Sequence, residues 1–435
     1  MKGIRSVCST SSTPKVSSTA DTVSPAVIIA DNGPVHASRC PVALVVGPGD
    51  RFLSGVSYYT ALLATALAEN GPVAMLLLRR LCPRVVYPGR TRVGRTDGML
   101  PLPSIPVFDG LDWFWGSSAI GAWRFWRSVR PKVVILQWWT GTVLHSYLAL
   151  AWLAKRTDAR LIVEFHEIQD VDEAKVPLAR QYTRAGLRCL LRRADAIVVH
   201  SDFDRLSVRE AYPQLVDRPI EVIQHGPYAQ HTQPRDGSNL LQPGEPVRLL
   251  IFGVVRPYKG HADFAAAVRL LVASGLDIHV IAVGEVWQGY REPLEELATI
   301  LPPERLTLVD RFVTDDEVSG FFSNAHIVVL PYRRCSASGP LHIAMSWGLP
   351  VVTTSVGGLV EATAGYTGTV LVPPGDPAAL AAGIRTALPL TRRVHSDPRS
   401  WRHSAECYAA LLNRVDADWI PGARMGTSGI EAVAT

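Results

Sequence analysis

The chain has 435 residues, 47% of them apolar, a formal charge of +5 and six scattered cysteines. That length and apolar fraction predict two or three domains with substantial cores, and the modest charge, without a recognised motif, argues against a nucleic-acid partner. The cysteine spacing resembles no zinc-ligand pattern and fits a reducing cytoplasm, and no apolar run reaches the eighteen or so residues that span a bilayer.

Residues 1–40 lack the apolar core of a signal peptide, are rich in Ser and Thr, and read as a disordered leader. From Pro41 apolar strands alternate with amphipathic helices, the signature of α/β layering. Strands are expected at Val42 to Val46, Val73 to Leu78, Val133 to Gln137, Leu161 to Phe165, Ala196 to His200 and Ile220 to Gln224. Between the first strand and a helix from Tyr58 to Glu69 runs the loop Gly47-Pro-Gly-Asp-Arg-Phe-Leu-Ser54-Gly55. It lacks the third glycine of the dinucleotide fingerprint, which argues against a dehydrogenase.

Arginines 79, 80, 84, 90, 92 and 95 precede an aromatic run that includes Trp113, Phe114, Trp115, Trp123, Phe125 and Trp126. On a helix from about Ser117, Ile120, Trp123 and Val129 share a face, with Trp126 beside them, and Arg124, Arg127 and Arg130 share another. Burial of the aromatic face against the sheet is the expectation. Docking on an acidic membrane face, or on an anionic lipid acceptor, is the rival reading.

The stretch 229–246 has no periodicity and reads as a linker between a domain over 41–228 and a second over 247–400, facing each other across a cleft. The second series has strands from Val247, at Asp277 to Val283, Leu306 to Val309, Ile327 to Leu330 and Val351 to Thr354. A closing helix follows at 401–415 and a flexible tail at 416–435.

Two segments of this second series carry chemistry. In Arg248-Leu-Leu-Ile-Phe-Gly253-Val-Val-Arg256-Pro-Tyr-Lys259-Gly260 a strand ends at a glycine and two cations follow before a helix. A guanidinium fork and a compact ammonium suit two phosphate oxygens. In Ser338-Gly339-Pro340-Leu341, Gly339 is expected as N-cap and Pro340 as the first helical residue, with Gly348 and Pro350 ending the helix. A helix start beside a strand end offers amides and a positive dipole end to an anion.

A glycosidase requires two carboxylates about 5 to 10 Å apart. Glu164 and Glu167 near one strand end read instead as a solvated edge, and the spacing of His200, His225 and His342 does not suggest metal ligation.

Taken in order, Ser54-Gly55, His166-Glu167, Ala194 to Ser201, Val222 to Gly226, Gly253 through Lys259-Gly260, Val283-Gly284, Val329 to Tyr332, Ser338-Gly339, Gly357 to Glu361 and Val372 to Asp376 resemble the retaining nucleotide-sugar glycosyltransferases of family 4. The resemblance covers about residues 42 to 412. It implies the GT-B architecture, two Rossmann-like doubly wound domains facing across a cleft, with the acceptor on the first and a nucleoside-diphosphate sugar on the second. Arg256 and Lys259 would neutralise the diphosphate, Ser338, Gly339, Pro340 and Leu341 would mark the helix start beneath it, and Ser54, Gly55 and Gly253 would let backbone approach. His166 would lie beside the transferred sugar as an orienting group. Its other reading is a strand cap with the ring bonded to backbone.

No metal and no cofactor apart from the donor are implied, and a glycolipid, polysaccharide or small-molecule hydroxyl would be the acceptor. A related branch shares the Arg-Pro-Tyr-Lys-Gly form and the Ser-Gly variant. Two glutamates of the common pattern fall on Cys335 and Ile343, so donor recognition must differ, and a silent GT-B binding protein or a nucleotide-sugar epimerase or hydrolase are the alternatives.

Overall fold

The strands are short apolar runs with little polar alternation, as a parallel sheet covered on both faces requires. A computed structural model describes residues 42–49, 55–80, 102–167, 177–215, 217–228, 240–287 and 289–415. In the first half β1 (Ala43–Pro48), α1 (Gly55–Ala68), β2 (Val73–Leu78), β3 (Val107–Leu111), α2 (Gly116–Val129), β4 (Val133–Trp138), α3 (Leu144–Arg156), β5 (Arg160–Phe165), α4 (Pro177–Leu191), β6 (Ala196–Val199), α5 (Asp202–Ala211) and β7 (Ile220–Val222) follow in order. They build a parallel sheet of order β3-β2-β1-β4-β5-β6-β7.

The second half repeats the plan with β8 (Val247–Phe252), α6 (His261–Ala273), β9 (Ile278–Val283), α7 (Glu292–Ile300), β10 (Leu306–Val309), α8 (Asp315–Ser323), β11 (Ile327–Leu330), α9 (Gly339–Ser346), β12 (Val351–Thr354), α10 (Leu359–Ala362), β13 (Thr369–Val372), α11 (Pro377–Ala387) and α12 (Trp401–Val415). Its sheet, β10-β9-β8-β11-β12-β13, is also parallel. Each sheet reverses strand order beside its first strand, at β1/β4 and β8/β11, and ligands gather beyond the strand ends at such a switch. This is the two-domain Rossmann-like GT-B architecture that the resemblance implies.

Strand alternation sorts side chains into separate cores. Leu44, Val46, Ala74 and Leu76 pack under α2 to α5, whereas Ala43, Val45, Val73 and Met75 face α1 and join a core that runs on into β8, β11 and α9. A third core lies under α6, α7 and α11. The halves are also tied by polar contacts. The Glu361 carboxylate accepts from the Asp202 and Phe203 amides at 2.6 and 2.9 Å, so the second half caps α5 of the first. Helix α12 packs on α1 of the first half, with Trp401 Nε1 donating to Pro227 O at 2.7 Å and Ser404 Oγ to Gln224 O at 2.9 Å.

Several expectations are corrected. Gly55 is the first residue of α1 rather than the end of a loop, and β3 and β13 were not anticipated. Helix α2 turns Ala122, Phe125 and Trp126 inward, a stripe at three- and four-residue spacing, which leaves Ile120 54% and Trp123 48% exposed with the Arg127 guanidinium over the Trp123 ring. Of the basic run, Arg80 pairs with Asp112; Arg84, Arg90, Arg92 and Arg95 lie outside the described residues, as do the leader, the tail and most of the linker. Among the described residues no helix is long and apolar enough to cross a membrane.

Candidate active site

On the second half the site is built largely from backbone. After β8 the chain turns at Gly253, and Gly284 after β9 lies so close behind it that a Cβ there would sit 1.9 Å from Gly253 O, at a φ of 151°. Gly260 does the same for α6, where a Cβ would meet Pro331 O at 1.8 Å. Only glycine lets the two turns nest at the strand ends. Between them the Lys259 ammonium lies 3.8 Å from the centre of the Tyr332 ring, and the Arg256 guanidinium 3.8 Å from that of Trp287.

Helix α9 begins beside this turn. Its N-cap is Ser338, one residue before the expected Gly339, because the Ser338 Oγ accepts the Leu341 amide at 3.3 Å. The same hydroxyl donates to the Tyr332 phenol at 3.4 Å, linking the cap to the ring under Lys259. Gly339 and Pro340 form the first turn, and Pro340 Cγ lies 3.9 Å from the place a Cβ on Gly253 would take. The Leu341 side chain is fully buried in the core. Thus Gly253, Lys259, Ser338, Gly339 and Pro340 are brought together, while Arg256 turns toward Trp287.

One residue joins this cluster to the first half. The Tyr228 hydroxyl donates to Gly55 O at 2.7 Å, and its ring lies 3.7 Å from the place a Cβ on Gly339 would take. The two glycines expected to approach one diphosphate therefore flank a single phenol. Tyr228 sits where the sequence passes into a linker, and nothing local in the sequence singles it out. Ser54 lies outside the described residues.

The first half presents side chains instead. At the ends of β4, β5 and β6 stand Gln137, Glu164, His166 and His200, all buried. Glu164 is not a solvated edge: it has no exposed surface, its Oε1 accepts from Tyr59 OH at 2.5 Å and its Oε2 from Gln137 Nε2 at 2.6 Å. The His166 ring is bonded to side chains, Nε2 to Gln137 Oε1 at 2.5 Å and Nδ1 to His200 Nε2 at 3.2 Å, and not to backbone. Burial, and then the neighbouring His200, hold its pKa well below the ordinary histidine value.

Beyond His200, the His225 ring from the first half stacks on His342 of α9 at 4.3 Å and 13°. Both are kept neutral chiefly by burial, which with Arg399 and His200 pushes His342 down to about 3.

Among the described residues one trio with metal-type ligand atoms converges, Glu164, His166 and His200, within 4.8 Å. Protein partners already engage these groups. The thiol that stands where the common pattern has a glutamate, Cys335, donates to Ala337 O at 3.1 Å, and burial pushes it up to about 12. It supplies no negative charge there.

Residues 54–226 match a family model described as glycosyl transferase 4-like domain, and residues 246–389 one described as glycosyl transferases group 1. A 2-deoxystreptamine glucosyltransferase of Streptomyces kanamyceticus is 25% identical over 370 residues, 78% of this chain and 91% of the relative. A GDP-mannose:glycolipid 4-beta-D-mannosyltransferase of Xanthomonas campestris pv. campestris is 30% identical over 132 residues, 30% of this chain and 36% of the relative. The catalytic domain of starch synthase IV from Arabidopsis thaliana, bound to ADP and acarbose, superposes with a TM-score of 0.64 at 14% identity, covering 86% of this chain and 99% of that one. Two facing parallel sheets, each matched by a glycosyl transferase model, mark the chain as a glycosyltransferase of GT-B architecture.

Proposed function

We propose that the protein is a retaining, metal-independent transferase of the family 4 type, in its Ser-Gly variant, that moves a sugar from a nucleoside-diphosphate sugar to a hydroxyl of a glycolipid, polysaccharide or small molecule. One observation carries the reading: Gly55 of the first half and Gly339 of the second flank Tyr228, beside the Lys259 to Ser338 cluster. Breaking the anomeric bond leaves negative charge on the departing diphosphate. A fixed ammonium and a helix start are prearranged for that charge, and one such donor is worth about 3 to 4 kcal/mol of barrier. Arg256 joins them on leaving Trp287.

Retention is supported by His166. Both its ring nitrogens are engaged, so neither offers a lone pair to an acceptor hydroxyl. The acceptor proton then passes to a diphosphate oxygen on the face from which the diphosphate leaves, and His166 orients the sugar. The test is a donor screen by thermal stabilisation, where a ligand at a hundred times its Kd adds about 2.7 kcal/mol. Mass spectrometry of a glycosylated acceptor and NMR of its anomeric configuration follow; an inverted product rejects the mechanism.

A glycolipid acceptor fits the outer face of α2 and α3. Exposed Ile120, Trp123 and Trp152 stand there beside Arg124, Arg127 and Arg156. Such a face suits peripheral docking on an acidic cytoplasmic leaflet. Co-sedimentation with phosphatidylglycerol vesicles, lost in Trp123→Glu, tests it.

The second reading, a silent nucleotide-binding protein, is favoured by Cys335 and Ile343 standing where glutamates are common. Calorimetric binding of nucleoside diphosphate with no donor consumed in the presence of acceptors selects it.

A further inference from the structure

The histidines at the ends of β5 and β6 have more hydrogen-bonding contacts than two neutral rings can satisfy. The assignment starts at Gln137, whose Nε2 donates to the Glu164 carboxylate at 2.6 Å. A carboxylate oxygen only accepts, so the Gln137 amide is fixed with its oxygen toward His166. That oxygen lies 2.5 Å from His166 Nε2, which must therefore carry a proton. At the other end, His200 Nδ1 lies 3.0 Å from the Ile223 carbonyl, so it carries a proton too.

The remaining nitrogens, His166 Nδ1 and His200 Nε2, face each other at 3.2 Å. In two neutral rings both would present lone pairs, at a distance where a proton belongs. We propose that His166 and His200 hold one proton between them, balanced by the buried Glu164 carboxylate. Glu164, Gln137 and His200 are then positioning residues that fix His166 in a single tautomer and orientation. The functional part of this inference rests on the transferase reading.

Burial and charge agree with this arrangement. A fully buried carboxylate needs a compensating charge, and His200 Nε2 is 3.9 Å from Glu164 Oε1. Tyr59 and Gln137 supply hydrogen bonds to the carboxylate, and the Tyr408 phenol from α12 is buried beside it. The shared proton lies between the facing nitrogens, 3.2 Å apart. The other groups that face the pair do not replace it: His225 and His342 are neutral, Tyr59 and Tyr408 are pushed further toward their neutral forms, and Asp204 and Arg399 act from beyond His200 and His342. A metal ion between the rings would need a Glu164 oxygen as a third ligand. That oxygen already accepts from Tyr59, and the other from Gln137.

The test is nitrogen NMR of the full-length chain with ¹⁵N-labelled histidine, titrated from neutral to alkaline pH. The expected spectrum has His166 protonated at Nε2, His200 at Nδ1, and one hydrogen-bonded proton between the facing nitrogens, lost in a single step. Glu164→Gln is expected to weaken the hold on that proton at least tenfold, one pH unit. His200→Gln keeps a donor in place of the proton and abolishes the step; His200→Phe abolishes it too and leaves His166 Nδ1 without a donor, so the ring loses its fixed orientation while Nε2 stays protonated against Gln137. With UDP-glucose hydrolysis as the probe, His200→Phe lowers kcat about a hundredfold with KM unchanged, and His200→Gln restores most of it.

A free lone pair on both nitrogens at neutral pH, a step unmoved by Glu164→Gln, or stoichiometric metal in the purified protein overturns the proposal. Failure of every sugar donor to react refutes the transferase reading and leaves the spectra to decide the proton.

Discussion

The two sides of the cleft solve their problems with different materials. The second half uses backbone, since Gly253, Gly260 and Gly284 nest at strand ends and the first turn of α9 supplies amides, with Lys259 and Arg256 as charged side chains beside them. The first half uses a buried polar network in which Tyr59, Gln137, Glu164, His166 and His200 satisfy one another. A phosphate can be held by amides whatever side chains lie nearby, whereas a histidine held in one tautomer needs named partners.

The largest effect that would break this contrast concerns backbone. Gly284→Ala places a Cβ within 1.9 Å of Gly253 O at a φ of 151° and is expected to cost about 3 kcal/mol or more in chemical denaturation. Gly339→Ala meets only the Tyr228 ring at 3.7 Å, so the fold should persist while calorimetric affinity for nucleoside diphosphate falls. Equal loss of stability in both variants would show that the α9 start is scaffold and nothing more.

Next comes charge. Lys259→Ala should lower turnover by at least an order of magnitude with an unchanged melting temperature, and unaltered kinetics remove Lys259 from the site.

The buried imidazoles of the interface sharpen the comparison through acid. His342 is held at about 3, first by burial and then by Arg399 and His200, against an ordinary value of 6.5. The unfolded chain therefore takes up a proton near pH 6.5 that the folded chain refuses until about pH 3. This stability is complete above the upper value and drains away as pH falls toward the lower one, at about 1.4 kcal/mol per pH unit. His342→Phe, which keeps a ring on His225, should make the denaturation midpoint less acid-sensitive across that window. An unchanged slope would mean that the imidazole is solvated.

The smallest effect is the cap: Ser338→Ala should lose about 1 kcal/mol of stability, read from urea midpoints.

How much of this could be read from the residues follows from the same division. Val73–Leu78 is an uninterrupted apolar run and Val351–Thr354 an uninterrupted β-branched one between Pro350 and Ser355, and their bounds were legible. The proposed phosphate side was legible because each of its two segments is contiguous. β3 was hidden by Asp109 and Gly110 within it and by a register shift beside Leu77, and β13 is a short, half-exposed edge. The network was not legible because Tyr59 and Glu164 are 105 residues apart and are joined only by the order of strands in the sheet.

Glu164 misled for a physical reason. In a sheet covered on both faces there is no solvent side to which a charged residue can turn. A carboxylate between Val163 and Phe165 was the available sign that partners wait inside.

Helix α12 leaves the second half, crosses to α1, and sets Trp401, Ser404 and Arg414 against Pro227, Gln224 and Glu221. The domain that begins the polypeptide is thus finished by its last described helix, and the boundary along the chain is not the boundary in space. Anyone grafting a different first half onto this second half must exchange residues 401–415 with it. A chimera that kept this first half and took a foreign second half from the linker onward would lay a foreign helix over Tyr59 in place of Tyr408, disturbing the surroundings of Glu164 without altering any residue of the first half.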